Sequence, residues 1–371
     1  MNSSRRQFLV SCGRSAAILS AGPLLASCAV QAAASVRGFS ETRLSDPLAA
    51  RILAYASLAS SGHNSQPWEV TLLESHHWRI GIPPERRLPA VDPLGRETLI
   101  SLGAFLENLA QAAAVEGLHA EVKILSDESQ CRDMVEVRLT AGASNSPVWL
   151  KRMQHRRVVK KGQLATKLRD DDIRWLQSLY PEQLLYFPRG SAEAGRIAQG
   201  AVEAMAMQCQ RDEVMHEFAR WMRFGNAEIE AQRDGLTTAG MEIEGLAGWF
   251  LNHFYTPSDV LKPSFRQQTV DLTAELANAG AGWLVLANNG QTPGALIETG
   301  RQYQRLFLQL RERNIACHPM SQLLEEAAGQ RELAGLLGRE THAQMLLRIG
   351  YVDRYPAPVS PRRPVDWFVK G

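Results

Sequence analysis

Two apolar stretches, far apart in the chain, carry the same pattern. L-I-S-L-G-A-F-L-E-N-L at 99–109 and L-I-E-T-G-R-Q-Y-Q-R-L at 296–306 match at Leu99, Ile100, Gly103 and Leu109 against Leu296, Ile297, Gly300 and Leu306. In the first, apolar residues nearly surround the helix, which is the signature of a segment buried on all sides. Glycine inside a helix costs about 1 kcal/mol relative to alanine. A glycine at the same place in both stretches therefore points to close helix approach there. The expectation is an α+β chain of two related halves, residues 46–141 and 148–371, each built around one of these helices.

The intervening sequence fills in the first half. Pro47 to Ala59 reads as a helix, Val70–Leu73 and Trp78–Ile82 as short strands, and Pro83–Pro93 as a proline-rich loop. Asp92 is placed to cap the long helix over 98–116, and 122–125 and 134–139 read as strands. A boundary of small and polar residues at 141–147 follows. Beyond it come a basic run (151–161), a helix over 170–180, a helical stretch over 191–224, a strand at 283–287, the second long helix over 295–313, and a strand at 345–352. Residues 225–262 have little periodicity and carry Trp249, Phe250, Phe254 and Tyr255; a long insertion of this kind reads as a lid, and a segment that packs one domain on another would have the same sequence character. The proline-rich tail after Val352 should stay extended and carries Arg362 and Arg363.

The first residues belong to a different kind of segment. S-R-R-Q-F-L at 4–9, followed by small and apolar residues to about Ala34, resembles a twin-arginine export signal over residues 1–34. Arg14 and Pro23 interrupt the apolar run, which weighs against a membrane-spanning helix. Leu25-Ala26-Ser27-Cys28 resembles a lipobox, which would put a lipid on Cys28 and anchor the chain to a membrane; Ala32–Ala34 offers an ordinary release site instead. The expected destination is the periplasm or cell envelope, with the twin-arginine translocase as partner during export. That route serves folded, cofactor-loaded proteins. The formal charge of +2 speaks against a dominant nucleic-acid surface. The five cysteines form no C-x-x-C pair, and Cys131, Cys209 and Cys317 read as inert thiols. No H-E-x-x-H, G-x-G-x-x-G, P-loop or G-x-S-x-G pattern is present.

Two stretches are dense in groups that could hold a ligand. A-S-S-G-H-N-S-Q-P-W at 59–68 joins the first helix to the first strand and offers Ser61, His63, Asn64 and Gln66 before the stiff Pro67-Trp68 anchor. An ordinary turn has a similar composition. The basic run K-R-M-Q-H-R-R-V-V-K-K at 151–161 reads either as a solvated face or as a place to neutralise a phosphate.

Together, A-S-L-A-S-S-G-H-N-S-Q-P-W at 56–68 and D-P-L-G-R-E followed by L-I-S-L-G-A resemble the nitroreductase-like flavoprotein family, in particular its Acg-like branch. The resemblance covers most of the chain after about residue 45, with Ser60 where the family has Pro. It implies FMN as cofactor and an internal pseudo-dimer, a fused version of the family's usual homodimer. It places Arg156, Arg157 and Lys160 at the FMN phosphate, with Val158 where a Ser usually stands, and Arg362 as the C-terminal basic residue. Ser321 and Gln322 fall where the family presents backbone N–H groups to the flavin, although the usual acidic–glycine pair is missing. Ser61, His63, Asn64 and Gln66 are then the polar contacts to the ring.

The implied activity is hydride or electron transfer from flavin N5 to a small acceptor, a nitro compound or a quinone, with the electron donor unknown. No side chain is required as catalytic acid or base. Two other functions fit the same features. A lid over the flavin would suit a protein that stores FMN with little turnover, and an exported chain meets no ready supply of NAD(P)H. A flavin-free scaffold that kept the fold is the third.

Overall fold

The computed structural model describes residues 42–337 and 341–370. The leader, including Cys12 and Cys28, lies outside the described residues. Helix α1 (Pro47–Ala56) starts where Asp46 accepts hydrogen bonds from the Leu48 and Ala49 amides, and Pro47 supplies the first turn. It ends three residues before the sequence pattern does, because Ser57–Ala59 continue as tight turns. Strands β1 (Glu69–Glu74) and β2 (His77–Gly81) form a hairpin. Helix α2 (Arg96–Val115) follows, its start held by Asp92, which accepts 2.8 Å hydrogen bonds from the Thr98 amide and hydroxyl. Strands β3 (Leu118–Ile124) and β4 (Asp133–Ala141) complete this part.

The remainder opens with α3 (Val148–His155), α4 (Asp170–Leu179) and β5 (Leu184–Pro188). The stretch expected as one helix over 191–224 is two, α5 (Ala192–Gln210) and α6 (Asp212–Trp221), broken where Arg211 takes an extended conformation. The 225–262 segment is more regular than its sequence suggests. After β6 (Met222–Arg223) it holds α7 (Asn226–Gln232), β7 (Leu236–Thr237) and α8 (Gly245–Phe254). The chain goes on through α9 (Pro263–Ala277), β8 (Gly282–Asn288), α10 (Pro293–Leu310), β9 (Ile315–Pro319), α11 (Ala327–Leu337), β10 (His342–Tyr351) and β11 (Val369–Lys370).

These strands make a mixed five-stranded sheet, β11-β1-β2-β4-β3, an antiparallel four-stranded sheet, β5-β8-β10-β9, and the small pair β6-β7. Strand β11, from the end of the chain, runs parallel to β1, so the last residues complete the sheet begun by the first part. One hydrophobic core spans both large sheets and helices α1, α2 and α10. Helix α2 is long and apolar enough to cross a membrane, but it is mostly buried inside the protein.

Helices α2 and α10 make the most extensive helix–helix contact. A Cβ at Gly103 would lie 2.0 Å from the Ile297 carbonyl oxygen, and one at Gly300 would lie 2.1 Å from the Ile100 carbonyl oxygen. The contact is thus reciprocal, and the paired glycines of the repeat sit at its centre. Next to it, the Gln304 amide donates to Asn108 at 2.9 Å, and Arg305 and Arg301 pair with the fully buried Glu107.

Candidate functional site

A cavity of about 390 Å³ opens between these elements. That is within the range of ordinary small-molecule sites. The 60–64 connection forms one wall and the 318–322 segment, between β9 and the turn after it, forms another. Residues of the expected lid, among them Gly235, Thr237 and Met241, close a third side. Met205, Met215, Phe218 and Ile100 give the lining its apolar surface.

The 60–64 wall is held in an unusual backbone. His63, Asn64 and Gln66 have φ of 48°, 52° and 50°. Non-glycine residues in this region cost on the order of 1–3 kcal/mol each and persist only where the surroundings dictate the conformation. Those surroundings are visible. Asn64 donates to the carbonyls of Gly235 and Pro361 and accepts from Arg362 at 2.7 Å. Gly62 donates to Ser101, and Ser61 accepts from the Gln66 amide. The connection is therefore clamped between the lid segment and the C-terminal tail.

Among the described residues three cations line the cavity. Arg156 and Arg362 both donate to the Leu58 carbonyl, at 3.0 Å and 3.5 Å by their closest approaches, and both line the cavity with Lys160. Arg156 also stacks on Phe307, with 5.2 Å from the guanidinium carbon to the ring centre. Burial lowers the pKa of Arg156, and burial followed by repulsion from Arg348 lowers that of Lys160, with Glu242 opposing. Among the described residues neither Arg156 nor Lys160 is in a close ion pair, although Glu242 lies near enough to Lys160 to attract it.

Both cavity histidines are kept neutral. Burial, then repulsion from Lys160, holds His63 at about 4. Its Nδ1 is buried without a hydrogen-bond partner, and its ring meets Phe218 edge-on at 5.7 Å rather than Trp68, which stacks on Phe105. Burial and the cations Lys160 and Arg348 push His318 well below its ordinary value. Arg348 lies 3.2 Å from His318 Nδ1 and can only donate, so Nδ1 accepts and Nε2 carries the hydrogen.

Of the residues singled out from sequence, Ser61, His63, Asn64, Arg156, Lys160, Ser321, Gln322 and Arg362 line this cavity. Gln66 and Arg157 do not. Gln66 donates to the Arg233 carbonyl and accepts from the Arg363 amide, so it fastens the tail. Arg157 turns away to the Ala357 carbonyl at 2.5 Å and to Glu242 at 3.4 Å. Ser321 accepts from the Leu346 amide and Gln322 donates to the Ala201 carbonyl, so both also brace the wall they form. Sequence reasoning missed Glu97, Glu325, His318 and Tyr303 on the lining. His318 stands in H-P-M-S-Q and Glu97 ends D-P-L-G-R-E, so both lay inside segments already noted, but nothing in the sequence says where they point.

No protein-family model matches the chain. Several named proteins are similar to it over most of its length. "Putative NAD(P)H nitroreductase Rv3131" of Mycobacterium tuberculosis is 25% identical over 338 residues, which cover 86% of this chain and 90% of the relative. "Putative NAD(P)H nitroreductase acg" of the same organism is 22% identical over 342 residues, 84% of this chain and 92% of the relative. "Probable NAD(P)H nitroreductase PigM" of a Serratia species is 22% identical over 329 residues, 83% and 89% respectively. These distant relatives support a nitroreductase-like family of oxidoreductases for this chain.

Proposed function

We propose that the protein is an exported, FMN-binding oxidoreductase of nitroreductase type that reduces a small acceptor, a nitro compound or a quinone. The observation that carries this reading is that Arg156, Lys160 and Arg362 all line a mostly apolar cavity whose walls also bear Ser61, His63 and Ser321, with the two arginines meeting at the Leu58 carbonyl. Several cations lining one space suit a phosphate dianion, which Arg can grip with a fork of donors. An apolar lining with a few polar groups suits a conjugated ring. The partnerless His63 Nδ1 and the Nε2–H of His318 are further polar groups for such a ligand.

When bound, FMN supplies the two-electron chemistry. This chain's part is to neutralise the phosphate, orient the ring and keep water away. The lid segment does the last through Asp234, which pairs with Arg86 at 2.5 Å and Arg223 at 2.7 Å, and through Glu242, which accepts from the Lys160 and Lys161 amides. The reciprocal Gly103–Gly300 contact and the return of β11 to the first sheet support a fused pseudo-dimer as the frame. The paired arginines at 5–6 support export by the twin-arginine translocase, with or without a lipid on Cys28.

The test is direct. The purified protein should be yellow and release FMN on denaturation, and Arg156→Ala should weaken FMN binding by about 1.5–3 kcal/mol. Unchanged affinity would remove the phosphate site from this wall. The doubly latched lid favours a second reading, storage of FMN with little turnover. Reduction by dithionite without reoxidation by any nitro or quinone acceptor would establish that reading over the first.

A further inference from the structure

Two carboxyl groups face each other in the wall of the cavity. Glu97, on the first turn of α2, and Glu325, on the turn after β9, both line it and are hydrogen-bonded to one another. Glu97 also touches the ligand-facing connection, since a Cβ at Gly62 would lie 3.6 Å from its Oε2. Gln208 donates to Glu325 at 2.7 Å and Arg96 donates to Glu97 at 2.9 Å. Two carboxylates in contact cannot both ionise readily, so such a pair shares one proton.

The pair has a second side. A separate cavity of about 320 Å³ lies behind it, and Glu325 and Val91 line both spaces. Asp92, Arg96, Asp127 and Gln344 line this rear cavity. Gln344 is 1% exposed, and its Oε1 has no hydrogen-bond partner. A lining of that polarity and size holds water.

We propose that the Glu97–Glu325 pair holds one proton between the two cavities, donates it to the acceptor in the larger one, and recovers it from water in the rear one. The inference rests on the oxidoreductase reading above. Reduction of a quinone to a hydroquinone takes two electrons and two protons, and a hydride equivalent from a reduced flavin brings both electrons and one proton. The carboxyl pair supplies the other. Its O–H bond breaks as the hydroquinone O–H forms, the pair is left doubly charged beside Arg96, and water protonates it again.

The charged and titratable groups facing the pair set its proton affinity. Arg96 and Asp92 stand on the α2 side and oppose one another, Tyr303 looks on from α10, and Glu326, paired with Arg211, accepts from the same Gln208 Nε2 as Glu325. Burial raises the proton affinity of both carboxyls, Glu97 and Asp92 raise that of Glu325 further, and Arg96 lowers both, while the hydrogen bond with Glu325 lowers that of Glu97.

The experiment uses the full chain as purified and Glu325→Gln, which keeps the side-chain shape. Infrared spectroscopy at about pH 8, where ordinary carboxyls are ionised, should show a protonated carboxyl C=O band in the wild type that is absent from the variant. The protein is then pre-reduced with dithionite and mixed with menadione or with ferricyanide, which takes electrons but no proton. Reoxidation by menadione should slow on the order of 10²-fold in Glu325→Gln, with ferricyanide unchanged. No carboxyl band in the wild type overturns the shared proton. A band with equal losses for both acceptors, or with no loss for menadione, overturns the donor role. A protein that binds no flavin overturns the oxidoreductase reading and the donor role with it, while the band still reports the pair itself.

Discussion

His63 shows how far a single side chain depends on its surroundings. Its left-handed backbone, its edge-on contact with Phe218 and its low pKa follow from one placement, inside a clamped connection next to Lys160. The sign of the pH effect is fixed by that placement. Unfolded, the imidazole takes a proton at its ordinary value of 6.5; folded, it resists until about 4. Between those values the unfolded chain binds more protons, so stability is full above that window and is lost as pH falls through it. His318 acts in the same direction. The thermal midpoint should therefore drop between about pH 7 and about pH 4.5, and drop less in His63→Gln measured in parallel. Identical drops would show that His63 is not held neutral. The cysteines behave differently from one another: burial pushes Cys317 up to about 12, and Cys131 is half-buried rather than buried.

At the scale of elements, the α2–α10 contact and the lid segment make separate predictions. The reciprocal approach leaves no room for a methyl group at Gly103 or Gly300. Gly103→Ala should destabilise by about 1–3 kcal/mol, and Gly300→Ala by a similar amount, read as a lower urea midpoint with an unchanged slope. Tolerance at one site but not the other would argue against a symmetric contact. In the 225–262 segment, Asp234 is 2% exposed between two arginines. Asp234→Ala leaves the buried Arg223 with only the more distant Glu228, at 3.9 Å, and should cost about 3–5 kcal/mol. Limited proteolysis should then cut first within residues 225–262. Cutting elsewhere first would mean that the latch lies outside this pair. The exposed aromatic residues of α8, Trp249, Phe250 and Phe254, form a patch on the same segment, and among the described residues nothing covers them.

Over the whole molecule, the C-terminal tail ties the parts together. Arg362 reaches Asn64, Arg363 reaches the carbonyls of Gln66 and Trp68, and Phe368 packs edge-on against Phe105 before β11 joins β1. Phe368 is 2% exposed, so Phe368→Ala should cost about 3–5 kcal/mol. Calorimetry should show one transition moved downward as a unit, because the same core includes both sheets. A separate early transition would show that the tail melts independently. Some of this plan was legible in the chain. The L-I-x-x-G repeat marked the two central helices and their point of contact. Ser61, His63, Arg156 and Arg362 were marked by segments that resemble one family. The strands β5, β9 and β11 were not legible, since each is short and its pairing partner lies far away in the chain.

What the sequence determined by itself is what short-range physics encodes: helix periodicity, caps such as Asp46, the glycines that permit close packing, and a supply of cations next to a polar connection. What only the tertiary structure decided is which way those groups point and what they meet. Arg157 and Gln66 belong to the same stretches as Arg156 and His63, yet they fasten the lid and the tail instead of lining the cavity. Glu97 and Glu325 become a pair only because the fold brings the first turn of α2 and the turn after β9 to the same cavity wall. Their charge state, like that of His63, is set by burial and by neighbours brought from distant parts of the chain, which no local pattern records.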